Sequence, residues 1–177
     1  MTVVRPAEPG DLESVVAIYA HHVLTGLGTF EEVPPTLAEM RFRFDEIRAR
    51  SLPYLVAVED RSVVGFAYVA PFRPRDAYRY TVENSVYIAP GLEGLGLGSA
   101  LLLQLVEGAA AAGARQMVAA IGDSENFASI RAHLKAGFRH VGVLKAAGFK
   151  FGRWVDVVLM QRPVGEGATI PPGIPGG

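Results

Sequence analysis

The chain has 177 residues, is 50% hydrophobic and carries a formal net charge of −1 at pH 7. This size and composition predict one domain with a well-buried core, and a charge so close to zero gives no electrostatic basis for nucleic acid or an anionic membrane as the main partner. Cysteine is absent, which excludes disulfides, thiolate–zinc sites and a cysteine nucleophile.

The first part of the chain predicts a short strand at 2–5 followed by two amphipathic helices. Asp11 is expected to cap the first helix, and the pattern Thr36-x-x-Glu39 is typical of a capping box that opens the second. Apolar residues at helical spacing predict one buried face on each helix. They are Leu12, Val15, Val16, Tyr19 and Val23 in the first helix and Leu37, Met40, Phe44 and Ile47 in the second.

The middle of the chain predicts three strands. Two runs of β-forming residues, 54–59 and 63–69, are separated by a short polar turn, which predicts a hairpin. A polar loop with several arginines then leads to a third strand, roughly at 80–88.

The next part predicts a helix, a buried strand and a second helix. A glycine-rich loop runs into the first of these helices, and Gly113 is placed to end it. An apolar strand at 116–121 follows. Ser124 is a possible cap for the last helix, which Gly137 is expected to end.

Two final strands, at 138–144 and 154–161, complete the predicted fold. The order β-α-α-β-β-β-α-β-α-β-β predicts an α/β fold with antiparallel hairpins first and one parallel, helix-linked step in the middle. The segment 163–177 is rich in proline and glycine, which predicts a disordered tail. The first residues lack the pattern of a signal peptide, so a cytoplasmic location is expected.

The glycine-rich loop before the third predicted helix is the most informative chemical signal in the chain. Glycines at 91, 94, 96 and 98 keep side chains away and let the backbone amides turn toward one point. Unpaired N–H groups at a helix start and the positive end of the helix dipole favour a phosphate. The spacing fits neither a Walker loop nor a dinucleotide-binding fingerprint. The loop therefore predicts a phosphate-bearing ligand, with a flexible turn as the alternative.

Two spaced motifs and four further stretches carry a resemblance to a known family. Residues 93–98 are similar to the pyrophosphate loop Arg/Gln-x-x-Gly-x-Gly/Ala of the GNAT superfamily of acetyl-CoA-dependent N-acetyltransferases. Residues 126–138 are similar to its second signature, Asn-x-x-Ser/Ala-x-x-x-Tyr/His-x-x-x-Gly-Phe. Within that superfamily the chain resembles the phosphinothricin acetyltransferase group in the stretches TFEE (29–32), PFRPRDAYRYT (71–81), TVENSVYI (81–88) and AAGFKFGRWVDVVLMQR (146–162).

The resemblance implies a fold, a co-substrate and an assembly. It implies one domain over residues 1–162, an α/β (α+β) fold with a mixed, mostly antiparallel central sheet flanked by helices. It also implies acetyl-CoA as co-substrate, a homodimer and a backbone N–H donor for the carbonyl oxygen around residues 85–87. The implied coenzyme contacts are Val86, Tyr87, Ile88, Gly94, Leu95, Gly96, Leu97, Gly98, Ser99, Asn126 and Ser129.

Glu93 departs from the superfamily pattern, which has Arg or Gln at this position of the loop. A carboxylate beside a pyrophosphate is unfavourable because like charges repel, although exposure and salt screen the repulsion. Weakened rather than abolished coenzyme binding is expected.

Glu83 is the candidate general base for removing a proton from the amine substrate. It lies in a strand of β-forming residues, where a carboxylate that faces inward requires a reason. Spacing alone favours the simpler interpretation, in which Glu83 faces solvent. The resemblance favours catalysis, because the phosphinothricin acetyltransferase group has its proposed base at the Glu of its T-V-E segment.

His133 is the candidate general acid or proton relay. It lies four residues after Ser129, so both share one face of the predicted helix, and the superfamily usually has Tyr at this position near the coenzyme sulfur. A buried histidine with a structural hydrogen bond is the alternative. The other histidines lack the spacing of metal ligands, so no metal site is predicted.

Arg73 and Arg75 are candidates for binding an acidic group of the substrate. Paired guanidinium groups suit a carboxylate or phosphinate, and solvated loop arginines are the alternative. In the group that the chain resembles, this loop and the segment with Phe30 and Glu31 line the amino-acid pocket.

The sequence thus predicts an N-acetyltransferase that acts on the α-amine of a small amino-acid analogue. The implied substrates are phosphinothricin, methionine sulfoximine and methionine sulfone, with direct attack in a ternary complex. Two other functions remain open: acetylation of a different amine such as a protein N-terminus, and an acyl-CoA-binding regulatory module with little catalysis.

Overall fold

The computed structural model describes residues 2–173. Over these residues, seven strands and four helices follow one another in the order that the sequence predicts. Their bounds are β1 (Val3–Pro6), α1 (Leu12–Thr25), α2 (Leu37–Ala49), β2 (Tyr54–Glu59), β3 (Ser62–Pro71), β4 (Thr81–Ile88), α3 (Leu97–Ala111), β5 (Gln116–Gly122), α4 (Phe127–Lys135), β6 (Arg139–Lys150) and β7 (Arg153–Pro163).

All seven strands form one sheet in the order β1-β2-β3-β4-β5-β7-β6. Every neighbouring pair is antiparallel except β4 and β5, which run parallel and are connected through α3. This arrangement follows from chain connectivity, since parallel neighbours require a crossover whereas antiparallel neighbours need only a turn. The predicted mixed, mostly antiparallel sheet is confirmed.

The parallel pair separates partway along its length. β4 pairs with β5 only from Thr81 to Asn84, whereas its pairing with β3 continues to Ile88. Residues 85–88 therefore have backbone groups on the β5 side that lie outside the ladder. Such groups are strong hydrogen-bonding groups, so the opening between the two strands is a natural place for an extended ligand.

Helices cover both faces of the sheet. On one face α3 packs against the central strands through Leu101, Leu102 and Leu105, which are fully buried. Burial of each such leucine contributes about 1.5–3 kcal/mol. On the other face α1 and α2 cover an aromatic cluster around Phe44 and Phe66. Because side chains alternate along a strand, β4 presents Val82 to the α3 face and Tyr87 to the α1/α2 face.

Two predicted details of α1 and α2 are wrong. Asp11 precedes α1 but does not cap it with its side chain. Its carboxylate accepts hydrogen bonds from Arg5 at 2.7 and 2.8 Å and from the N–H of Glu8, because a guanidinium is a stronger donor than a helix amide. Leu37 is the first residue of α2 and remains exposed, unlike the rest of the predicted stripe. Thr36 does cap α2, accepting a hydrogen bond from Glu39 N–H at 3.2 Å.

The predicted cap of α4 is also wrong. Ser124 instead donates to the Asp156 carboxylate at 3.0 Å. Asn126 is the capping residue, and its side-chain oxygen accepts a hydrogen bond from the N–H of Ser129 at 3.2 Å. The helix starts two residues later than expected, because Asp156 on β7 takes the serine hydroxyl.

The packed part of the chain extends past residue 162. Pro163 is the last residue of β7, Val164 is buried, and the N–H of Val164 donates to the carbonyl of Arg115. Arg115 also pairs with Glu166 at 3.0 Å. The end of the predicted tail, 174–177, lies outside the described residues. Between residues 2 and 173, no helix has both the length and the apolar composition needed to cross a membrane.

Candidate active site

A cavity of about 460 Å³ lies where β4 and β5 separate, bounded by the glycine-rich loop and by α4. Most of the residues for which coenzyme contacts are implied line this cavity. Those residues are Val86, Tyr87, Ile88, Gly94, Gly96, Gly98, Ser99, Asn126 and Ser129. Leu95 is instead 68% exposed, and Leu97 is buried in the core beneath the loop.

The glycine-rich loop has a backbone conformation that glycine favours. Gly91, Gly94 and Gly96 have φ values of +80°, +80° and +85°, in the left-handed region that disfavours side chains. Gly96 is the N-cap of α3. No protein atom lies within 4 Å of where a Cβ would stand on any of these glycines. The start of α3 is therefore open to a ligand, and its unpaired amides suit a pyrophosphate.

His22 on α1 also reaches this cavity, which the sequence did not predict. Its Nε2 donates a hydrogen bond to the carbonyl oxygen of Ile88 at 2.7 Å, at the end of β4. Its ring lies 5.3 Å from the ring of Tyr87. The bond fixes the end of the strand at the opening. A single histidine on a helix gives no sequence signal for such a role.

Charges of both signs line the cavity. Glu93 lies in the glycine-rich loop, and Arg131 and Lys135 lie opposite on α4. The two basic residues are four positions apart and so share one face of the helix. They supply positive charge that offsets Glu93. The spacing of Arg131 and Lys135 was visible in the sequence but gave no reason to connect them with the loop.

His133 is 5% exposed and both of its ring nitrogens are engaged. Nδ1 lies 2.8 Å from the carbonyl oxygen of Ser129, so it carries the proton. Nε2 lies 3.1 Å from Nδ2 of Asn84 and accepts a hydrogen bond from it. Burial lowers the pKa of His133, which favours the same neutral form. In this arrangement Nε2 has no proton to give to a leaving group.

Glu83 lies on the opposite face of β4, next to Asn84 in sequence but on the α1/α2 side. It is half-buried, and its carboxylate takes part in no side-chain hydrogen bond within residues 2–173. Burial raises the pKa of Glu83, and the positive charge of Arg73 partly opposes that rise. The guanidinium of Arg73 stacks on Phe72, 4.7 Å from the ring centre. The structure thus brings Arg73 close enough to influence Glu83.

The other predicted substrate contacts take up three different positions. Glu31 accepts hydrogen bonds from Arg43 at 2.6 Å and from the Tyr19 hydroxyl at 2.9 Å, so its carboxylate is held in a network. Phe30 is 41% exposed. Arg75 is exposed and immediately precedes a short 3₁₀ turn at 76–78.

A second cavity, about 390 Å³, lies between α2 and β3 on the Glu83 side of the sheet. Aromatic and aliphatic side chains form most of its wall, and the charged side chains there are Arg43, Glu46 and Arg50. Ala70, which pairs with Glu83 in the sheet, also lines it. The carboxylates of Glu31 and Glu83 add to the effect of burial in raising the pKa of Tyr68. The two carboxylates therefore face one region.

The fold and the site define an acetyltransferase. The family described as "Acetyltransferase (GNAT) family" matches residues 17–138, and the chain belongs to this family. The family predicted from the two motifs is confirmed. Among residues 2–173, no group of three or more histidine, aspartate or glutamate side chains could hold a metal ion.

Individual relatives are similar along almost the whole chain. A phosphinothricin N-acetyltransferase from Alcaligenes faecalis is 52% identical, over 96% of this chain and 86% of the relative. An L-methionine sulfoximine/L-methionine sulfone acetyltransferase from Pseudomonas aeruginosa is 40% identical, over 89% of this chain and 92% of the relative. The crystal structure of a phosphinothricin acetyltransferase from Sinorhizobium meliloti in complex with AcCoA has a TM-score of 0.95 and 45% identity, covering 98% of this chain and 94% of that one.

Proposed function

We propose that this protein transfers the acetyl group of acetyl-CoA to the α-amine of a small amino-acid analogue, namely phosphinothricin, methionine sulfoximine or methionine sulfone. One observation carries the proposal. Strand β4 carries Glu83, whose carboxylate makes no side-chain hydrogen bond among the described residues, on one face. The same strand borders the glycine-lined cavity where it separates from β5. The names of the relatives and the AcCoA bound to the Sinorhizobium meliloti structure support this substrate pair.

The glycine-rich loop and the free edge of β4 are suited to hold the coenzyme. The amides of Gly94, Gly96 and Gly98 would bind the pyrophosphate at the start of α3. The backbone of residues 86–88 would hydrogen-bond the extended arm of the coenzyme in the manner of an added strand. Arg131 and Lys135 would attract the remaining phosphate charge, which offsets the repulsion from Glu93.

Glu83 is suited to act as the general base. An α-amino group has a reference pKa of about 8 and is mostly protonated at neutral pH. Glu83 would accept that proton directly or through one water. The nitrogen lone pair then forms a bond to the thioester carbonyl carbon, and the nitrogen of the tetrahedral intermediate releases its second proton to solvent. The C–S bond breaks, the sulfur leaves as thiolate, and the amide is formed. Burial of Glu83 raises its pKa and so makes it a stronger base.

The carbonyl oxygen and the leaving thiolate can be stabilised without a catalytic side chain. A backbone N–H of residues 85–87 would donate to the developing oxyanion. A thiol such as that of cysteine has a pKa of about 8.5, so a thiolate leaves readily near neutral pH and takes its proton from solvent. His133 is neutral with both nitrogens engaged. We therefore assign it the structural role rather than that of an acid.

The substrate carboxylate and side chain would lie on the Glu83 side of the sheet. Arg73 is the arginine whose charge acts on Glu83, so it is suited to bind the acidic end of the substrate. Arg75 would assist from the same loop, and Phe30 and Glu31 would form the opposite wall. Paired arginines suit the free carboxylate of a small amino acid, which a peptide does not carry next to its N-terminal amine.

We further propose a homodimer and a cytoplasmic location. The long strand β6 lies at the edge of the sheet. Together with the start of β7 it exposes a set of large apolar side chains, which a second copy would cover. They are Val141, Val143, Leu144, Phe149, Phe151 and Trp154. A monomeric mass in light scattering at micromolar concentration would contradict the dimer.

The release of thiol from acetyl-CoA across a panel of amines tests the substrate assignment. The panel contains phosphinothricin, methionine sulfoximine, methionine sulfone, ordinary amino acids and a peptide with a free N-terminus. Turnover confined to the first three supports the proposal. Preferred turnover of the peptide indicates a different amine substrate. Coenzyme binding without turnover of any amine indicates a binding module.

A further inference from the structure

We propose that Lys150 is a positioning residue for the amine site, because it holds the loop between α1 and α2 in the place where that loop can present Phe30 and Glu31. The inference rests on the proposed function. Lys150 is the last residue of β6, far along the chain from the loop that it contacts.

Lys150 is a lysine in an unusual environment. It is 1% exposed, and its Nζ donates to the carbonyl oxygen of Gly26 at 2.9 Å and to that of Thr29 at 2.8 Å. It belongs to none of the ion pairs formed among residues 2–173. A buried charge is costly unless it is well hydrogen-bonded, so the two carbonyls are essential partners.

The same loop lies close to two glycines in neighbouring strands. A Cβ on Gly148 of β6 would stand 2.2 Å from a ring carbon of Phe30, and a Cβ on Gly122 of β5 would stand 2.1 Å from the carbonyl oxygen of Leu27. Only glycine fits at 122 without movement of the loop backbone, and only glycine fits at 148 without movement of the Phe30 ring. Lys150 and these two glycines therefore fix the backbone of residues 26–30 against the ends of β5 and β6.

From this fixed backbone the loop continues to Phe30 and Glu31, the two residues proposed above to face the amine substrate. The hydroxyl of Thr29 is 2.9 Å from that of Tyr19, which also donates to Glu31 at 2.9 Å. Arg43 completes the network by donating to Glu31 at 2.6 Å. A shift of the Thr29 backbone would therefore move the carboxylate of Glu31 and the ring of Phe30 together.

Stability alone does not account for a lysine at this position. Well-packed apolar side chains often stabilise a buried site as well as an ionic group does. An ammonium that spans two carbonyls three residues apart does something that an apolar side chain cannot, since it sets the direction of those carbonyls. The geometry points to placement of the loop as the role of the charge.

The variant Lys150→Met tests the proposal, because methionine keeps much of the stem but removes all three N–H donors. We expect KM for methionine sulfone to rise about tenfold, and KM for acetyl-CoA to rise less, because only Gly28 of this loop also lines the coenzyme cavity. Hydrogen exchange of the amides of residues 26–31 is expected to accelerate. Lys145→Met is the matched control: it is on the same strand, and the ammonium of Lys145 pairs with Asp156 at 2.9 Å rather than with the loop.

A second variant displaces the loop without touching the lysine. Gly148→Ala forces the Phe30 ring to move, and no positive φ opposes the substitution. We expect the same rise in KM for methionine sulfone, with KM for acetyl-CoA within twofold because the Cβ meets the Phe30 ring, which does not line the coenzyme cavity. This variant keeps the proposal testable if Lys150→Met does not fold.

The outcomes separate this inference from the proposed function. Unchanged exchange of residues 26–31 in Lys150→Met would overturn the idea that Lys150 holds the loop. Faster exchange with unchanged KM for methionine sulfone in both variants would overturn its role in the amine site. A wild-type protein without turnover on the amine panel would instead contradict the proposed function, and the exchange measurement could still be made.

Discussion

The eight residues of β4 separate two regions of the molecule that are built in different ways. The side facing the coenzyme cavity depends on backbone: glycines with positive φ, the free start of α3 and a strand edge without a partner. The opposite side depends on side chains: Glu83, Glu31 and Tyr68, which come from separate segments of the chain. On the proposed assignment, coenzyme binding depends on local backbone conformation, whereas the choice of amine depends on side chains that only the folded chain brings together.

The largest expected effect on activity comes from a substitution on the Glu83 side of β4. Glu83→Gln removes the proposed base without changing shape, so kcat is expected to fall by about 10²–10⁴ at neutral pH. Acetyl-CoA affinity is expected to change little, since Glu83 faces away from the coenzyme cavity. Steady-state kinetics and calorimetry measure the two quantities. Glu107→Gln, an exposed position on α3, is the control; near wild-type kcat for Glu83→Gln would remove it from the mechanism.

The next largest expected effect is on acetyl-CoA affinity and concerns the glycine-rich loop beside β4. Gly96→Ala places a side chain at a φ of +85°, which costs about 1–2 kcal/mol. The loop relieves this strain by moving its amides, so the Kd for acetyl-CoA is expected to rise about tenfold. KM for the amine should stay within twofold. Gly10→Ala is the control, because its Cβ would meet no atom within 4 Å and its φ is not positive. Equal Kd values for the two variants would mean that the loop does not bind the coenzyme.

His133 tests whether a side chain on the coenzyme face takes part in chemistry. His133→Phe leaves the buried amide of Asn84 without its acceptor and removes the side-chain donor to the carbonyl of Ser129, so the free energy of unfolding is expected to fall by about 1–3 kcal/mol. kcat should fall by less than about tenfold, because the histidine has no proton at Nε2. Denaturant unfolding and kinetics measure both, with the exposed His140→Phe as control. A 100-fold loss of kcat with intact folding would restore His133 as the acid.

The smallest effect is a displacement of the pH profile. The reaction requires Glu83 as carboxylate, so kcat/KM is lost as pH falls through the pKa of Glu83. The charge of Arg73 lowers this pKa and burial raises it. Arg73→Ala removes the lowering influence, and the acid limb of the profile is expected to move to higher pH. An acid limb that stays in place, or moves to lower pH, would show that Arg73 does not act on the base.

The parts of the candidate site that could be predicted are those formed by residues close together in sequence. The glycines at 94, 96 and 98 and the second motif at 126–138 were enough to predict the family, and the glycine-rich loop is open at the start of α3 as the sequence predicts. Leu95 and Leu97, within the same loop, are predicted coenzyme contacts; Leu95 is exposed, Leu97 is buried in the core, and neither lines the cavity beside the loop. A motif marks a segment, and only the folded backbone decides which side chains of that segment face the ligand.

His22, Asn84 and Lys150 could not be predicted, because each gains its role from a partner distant in sequence. His22 meets the carbonyl of Ile88, Asn84 meets the ring of His133, and Lys150 meets the loop after α1. The capping of α4 shows the same limit. Local sequence favours Ser124 as the cap, but its hydroxyl donates to the distant Asp156 carboxylate, and Asn126 caps the helix.

By itself the sequence determined the order of strands and helices, the single parallel step and the glycine loop at the start of α3. These follow from hydrophobic periodicity and from the conformational freedom of glycine, which act within a few residues. Only the tertiary structure decided that β4 separates from β5 after Asn84, that Glu31 is bound to Arg43 and that Lys150 holds the loop. Those features depend on contacts between segments far apart along the chain, and such contacts exist only once the core has packed.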